Sequence, residues 1–281
     1  MIERRSFVTG LIAAAAMPAH AAEHAMTPAE RLEAMVRLRG DTAGGLTFGW
    51  LDAVRSTVID GDIQPFCRLM AASVSRFERR GDLFEATTLE VAYYVDPKTG
   101  APFQKFRFPG ATHDVEVPAY RTGPSKVRFG IDLSEWEEID RSGPGQVSPA
   151  FAPTKASVHL ERSVGIPTID KGKIFLRSDE YGRVYADKSK PPVVFYREWL
   201  IWEGQADAVL HSRASSIPST HSYSALSSWR PWMQMGDIKG HTAENGHGAK
   251  VASPADFPEE LRALISSRDP DVLKNPARAL G

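Results

Sequence analysis

Glu90-Val91-Ala92-Tyr93-Tyr94-Val95-Asp96-Pro97-Lys98-Thr99-Gly100 is the stretch that decides the fold. It reads as a strand running into a tight turn. Pro97 fixes φ, Asp96 can accept from its own following backbone, and Gly100 tolerates a positive φ. Leu89, Val91, Tyr93 and Val95 form one face of the strand; Glu90, Ala92, Tyr94 and Asp96 form the other. If the second face lines a barrel interior, Glu90 and Tyr94 become a polar pair in a cavity. If it faces water, they are an ordinary solvated stripe.

Working outward, the same period-two pattern runs from Leu46 to about Trp229. The expected strands are 46–55, 66–79, 84–95, 103–108, 113–117, 126–133, 156–163, 173–178, 183–186, 193–202, 206–212 and 221–229. Ser178-Asp179-Glu180-Tyr181-Gly182 reads as a hairpin turn with Gly182 left-handed. The segment 193–202 is apolar on both faces apart from Arg197 and Glu198, which suits a strand covered on both sides. This many short strands separated by turns predicts an all-β fold: a single antiparallel β-barrel, lipocalin-like in outline.

Short helices flank it. Thr27-Pro28-Ala29-Glu30 opens one with a capping box, and Gly40 closes it. A second is expected over 253–266, with Ser253 as cap and Pro254 in the first turn. The Gly/Pro segment from Arg141 to Thr154 is too long for a hairpin and reads as a lid or a plain surface loop.

The N-terminus reads as an export signal over 1–21, leaving a single barrel domain over 22–281. Arg4-Arg5 precedes an apolar run ending in small residues at Ala19 and Ala21, and Arg4-Arg5-Ser6-Phe7-Val8 looks like a twin-arginine signal. The expected location is the bacterial periplasm. The apolar run is too short for a stable membrane anchor. Lys and Arg number 34 against 35 Asp and Glu, so no basic surface invites nucleic acid. One cysteine, Cys67, excludes an internal disulfide and reads as a small buried strand residue.

No phosphate loop, nucleophile elbow or zinc-protease helix occurs, so the reading carries no cofactor and no metal. His241 to His247 places metal-capable side chains in a Gly-containing loop, off any rigid element. Candidate acid/base residues are Glu90, Tyr94 and His113, with Arg197 to hold an oxyanion. His113 shares a strand face with Val115 and Val117, as a core histidine or as a base in an apolar cavity. Arg197 lies among Val193, Phe195, Trp199 and Ile201, which demands either a structural partner or a polar ligand. Tyr223, Trp229, Arg230, Trp232 and Met233 are suited to gripping a flat hydrophobic ligand and equally to plugging one end of a barrel.

Two stretches together carry a family resemblance. Glu90 to Gly100 and Trp229-Arg230-Pro231-Trp232-Met233-Gln234-Met235-Gly236 resemble the bacterial family of domain of unknown function 1838. Val36-Arg37-Leu38-Arg39-Gly40 looks like that family's start, so the resemblance spans most of 35–258. Where the family tends to show a Trp-x-Asn-Pro-like segment, this chain has Phe106-Arg107-Phe108-Pro109-Gly110. The resemblance implies membership and brings no activity or site residues.

Three functions follow as expectations. One is a cofactor-independent lyase, hydratase or isomerase acting on a hydrophobic, aromatic or polycyclic small molecule. The second is a periplasmic binding protein for such a ligand. The third is a structural or partner-binding barrel.

Overall fold

A computed structural model describes residues 26–132, 134–141, 156–187 and 189–281. The strands are β1 (Leu46–Ile59), β2 (Asp62–Arg80), β3 (Leu83–Val95), β4 (Lys105–Phe106), β5 (Val115–Glu116), β6 (Tyr120–Phe129) and β7 (Ser134–Arg141). They continue with β8 (Ala156–Val164), β9 (Thr168–Asp170), β10 (Lys173–Tyr185), β11 (Val194–Gln205), β12 (Ser219–Ser228) and β13 (His241–Val251). The helices are α1 (Pro28–Arg39), α2 (Ala206–His211), α3 (Glu259–Arg268), α4 (Pro270–Lys274) and α5 (Pro276–Leu280).

The main sheet is antiparallel and runs β6-β3-β2-β1-β13-β12-β11-β10-β8-β7, with β9 added to β10. β6 and β7 stand at its two ends yet are consecutive in the chain, joined across residues 130–133. The sheet therefore curls, which brings its two edges together at that corner. The antiparallel barrel expected from the alternation is present as this curled, barrel-like sheet with a few short helices.

Packed apolar clusters cover the ends and part of the outer face of the curl. Leu32, Met35, Val36 and Leu38 of α1 pack with Phe77, Phe84, Phe129, Ile174 and Leu176 across one end. Phe66, Phe108, Val115 and Met233 close the other end, joined by Trp229 and Trp232. Leu89, Val91, Tyr93 and Val95 face outward onto Phe257, Leu261, Ile265, Val272 and Leu280 of the C-terminal helices. The Tyr93 hydroxyl donates to Asp269 Oδ2 at 2.7 Å, which pins the outer face. Glu90 and Tyr94 consequently face inward.

Several local expectations need correction. No hairpin forms at 178–182: β10 runs through it. Gly182 has no left-handed φ; a Cβ there would collide with the Tyr196 ring on the neighbouring strand, so glycine serves close approach, not a turn. The segment 206–212 is a helix rather than a strand, and residues 241–251 form β13 rather than a loop. Gly246 misled the reading because it too answers to close approach, facing Asp52 O and Ala53 on β1. The strand expected over 113–117 shrinks to Val115–Glu116 in a two-stranded sheet with β4. The helix expected from Ser253 begins at Glu259: Ser253 caps a 3-10 turn over Pro254–Asp256, and Pro258 separates the two. The outer face of β11 is not covered, and Phe195 is 52% exposed.

The capping box of Thr27 and Glu30 forms as read, and Gly100 takes φ +70° behind Asp96, whose Oδ1 accepts from Lys98 N and Thr99 N. The export signal, and the Gly/Pro segment apart from Arg141, lie outside the described residues.

Candidate functional site

The inward faces of β1–β3, β6 and β10–β13 enclose a cavity of about 280 Å³. Its wall mixes apolar groups (Leu51, Leu69, Phe77, Val127, Leu200, Trp202) with an unusual density of ionisable ones. That density has a simple origin in strand register. Arg162, Glu180, Glu198, Ala225, Glu244, Arg55 and Cys67 are successive cross-strand partners on β8, β10, β11, β12, β13, β1 and β2. One lateral row thus carries arginines near its ends and three carboxylates between them. Directly opposed carboxylates such as Glu180 and Glu198 repel, so the row is stable only where protons or arginines compensate.

Both devices are present. Arg55, with no exposed surface, places Nη2 2.5 Å from Glu244 Oε1 and donates from Nη1 to the Tyr94 hydroxyl at 2.8 Å. Burial, the largest single influence, works against its charge, but Glu244 together with Tyr94, Cys67 and Tyr223 outweighs it and keeps the guanidinium protonated. Arg162 pairs with Glu180, which also accepts from the Tyr196 hydroxyl at 2.7 Å.

Among the described residues no cation pairs with Glu198. It is half-buried on the inner face of β11, lining the cavity. Burial, then the charges of Glu180, Glu244 and Glu90, push it up to about 8, although the Tyr223 hydrogen bond pulls the other way. The Tyr223 hydroxyl lies 3.1 Å from Glu198 Oε1 and 3.4 Å from Glu244 Oε2. Ala225 between the two carboxylates leaves the room into which Tyr223 reaches. The result is a continuous chain, Tyr94–Arg55–Glu244–Tyr223–Glu198, ending on a carboxyl that keeps its proton at neutral pH. Cys67, also in the row, is buried with its thiol pushed up to about 12, which makes it inert.

The cavity brings together Glu90, Tyr94, Tyr223 and Arg230 from the sequence reading. It leaves out His113 and Arg197. His113 is exposed in the loop before β5 and bonds Gln234 Oε1 at 2.9 Å. Arg197 is exposed on the outer face of β11, stacked over Trp199 at 5.1 Å. Trp229, Trp232 and Met233 belong to the end plug: Trp229 Nε1 donates to Ile238 O, and the Trp232 ring lies 5.6 Å from Tyr94 and 5.5 Å from Phe108.

Residues 183–280 match the model of a family described as "Protein of unknown function (DUF1838)". The matched part holds Glu198, Tyr223, Arg230 and Glu244. The stretch from Glu90 to Gly100 precedes it. No curated protein matches the chain. Similar solved structures include Neisserial surface protein A, at 7% identity over 73% of this chain and 96% of that one, with a TM-score of 0.28. Another is a loop-deletion mutant of OmpT, an outer membrane protein of Vibrio cholerae, at 11% identity over 74% and 99%, with a TM-score of 0.17.

Proposed function

We propose that this is an exported, barrel-like enzyme that takes a small, largely apolar molecule into its cavity and moves a proton with Glu198. The reaction class is a cofactor-independent elimination, hydration or isomerisation. What carries this reading is the Glu198 carboxyl, kept protonated up to about 8 while lining a cavity. Its Oε1 is engaged by Tyr223, which leaves Oε2 to hold the proton.

The other groups have natural parts. Tyr94 accepts from Arg55, so its own hydrogen is left to donate to a developing oxyanion, and the guanidinium behind it strengthens that donation. Glu90 is exposed and lines the same cavity, where it can take up a proton. In an elimination, Glu90 would accept the C–H proton, the freed pair would become the new double bond, and the leaving oxygen would depart with the Glu198 proton. Hydration is the reverse.

The test begins with mass spectrometry of small molecules carried by the purified protein. Conversion of the molecule found is then followed with wild type and Glu198→Gln. The expected loss on substitution is about 100-fold or more, the usual share of a general acid. Equal rates in the two proteins would remove Glu198 from the chemistry. A molecule carried unchanged by wild type would leave a ligand-binding protein, and no carried molecule or binding would leave a structural barrel.

A further inference from the structure

A sheet face turned to water normally carries polar side chains. The outer face of β11 does the reverse. Phe195, Trp199 and Ile201 stand on it with Arg197 among them, and Val193 precedes them at the start of the strand. Phe195 and Ile201 are 52% and 42% exposed, and Leu226, the cross-strand partner of Arg197 on β12, is 42% exposed. From Phe195 to Ile201 this ridge runs roughly 20 Å at a strand's rise per residue. Leu200 and Trp202 of the same strand line the cavity, so the inner side does not account for the outer residues. Both edges of β11 are paired, to β10 and β12, which leaves its face rather than its backbone for a partner.

Charge narrows what that partner is. The adjoining outer face of β12, made of Thr220, Ser222, Ser224, Leu226 and Ser228, carries none. On β11 the ridge holds a single charged side chain, Arg197, stacked over Trp199. Among the described residues no carboxylate pairs with it. The carboxylates of neighbouring positions are taken: Asp179 by Arg177 at 3.0 Å, Glu203 by Lys173, and Glu161 by Arg183 at 3.7 Å. A second copy packed face to face would cover the apolar ridge but leave Arg197 buried without a counter-ion, which is costly. An anionic lipid surface meets both needs, because apolar rings enter the acyl boundary while a guanidinium stays at the level of the phosphates.

We propose that the outer face of β11, extended by Leu226, docks onto an anionic lipid membrane. Phe195, Trp199, Ile201 and Leu226 enter the lipid boundary, and Arg197 holds a lipid phosphate. The attachment is peripheral and reversible, and it is independent of the chemistry in the cavity.

The test is co-sedimentation of residues 22–281, which contain every packed cluster described, with two kinds of vesicle. One is phosphatidylcholine alone; the other is a two-to-one mixture of phosphatidylcholine and phosphatidylglycerol. Wild type should bind the mixed vesicles about five-fold more tightly than the neutral ones, the share of one arginine at an anionic surface. Phe195→Ser/Ile201→Ser should weaken binding to both at least ten-fold. Both side chains are exposed, so the fold is kept, and an unchanged melting temperature checks this. Arg197→Gln should still bind neutral vesicles and lose the preference for mixed ones. No binding of wild type to mixed vesicles, undiminished binding by Phe195→Ser/Ile201→Ser, or a preference that survives Arg197→Gln would each overturn the proposal. So would a wild-type dimer in analytical ultracentrifugation that Phe195→Ser/Ile201→Ser makes monomeric, which would give the face to a second copy. The comparison of the two vesicles with wild type needs no variant to fold.

Discussion

At the scale of single residues, Glu198 couples the cavity to stability. Its folded value lies above the ordinary 4.5 and reaches about 8. Between those values the unfolded chain has released a proton that the folded protein retains. The group's contribution is therefore complete below the ordinary carboxylate value and is lost as pH rises toward about 8. Glu198→Gln should abolish that slope and exceed wild type at pH 8 by on the order of 4 kcal/mol. Urea denaturation at pH 5 and pH 8 reads this; equal slopes in both proteins would mean that Glu198 is ionised when folded. Arg55 is the opposite case. Arg55→Met strands Glu244 without its cation and should cost about 3–5 kcal/mol. Adding Glu244→Leu should recover part of the loss, and a purely additive double variant would deny the pair. Glu90 and Tyr94 were legible because strand alternation puts them on one face. Arg55 and Glu244 were not, because they lie far apart in the chain and only β-register joins them. Arg197 drew notice and its neighbour Glu198 did not, since a mixed apolar run does not reveal which of its faces turns inward.

Elements were readable where local chemistry sufficed, as in the α1 cap and the turn from Asp96 to Gly100. They were misread where glycine serves neighbouring strands rather than its own backbone. Gly182 ended a strand on paper, yet β10 passes straight through it. The Tyr196 ring occupies the space a side chain would need, and Tyr196 in turn donates to Glu180. Gly182→Ala must push that ring away and loosen the Tyr196–Glu180 bond. The expected cost is about 1–3 kcal/mol by overpacking, read from the denaturation midpoint. Restored stability in a Gly182→Ala/Tyr196→Phe double variant would show that the hydroxyl resisted the shift; stability unchanged by Gly182→Ala alone would place the ring elsewhere.

Across the whole molecule, the fold works by closing the two ends of the curl with unlike materials. α1 and its apolar partners fill one end, while the other is shut by aromatic rings from segments more than a hundred residues apart. Trp232 is the contact between that plug and the cavity, lying against Tyr94 and Phe108. Water exclusion is the first cause of the raised Glu198 value, so the plug and the carboxyl are linked although they share no bond. Trp232→Ala should cost about 3 kcal/mol in stability, as large-to-small aromatic changes do. It should also admit water beside Tyr94 and lower the Glu198 value toward the ordinary carboxylate range. Carbon-detected NMR titration of labelled glutamate, with Glu198→Gln to assign the signal, measures this directly. A Glu198 value that stays near 8 in a folded Trp232→Ala protein would assign the shift to the neighbouring carboxylates of the row, and the plug would then serve stability alone.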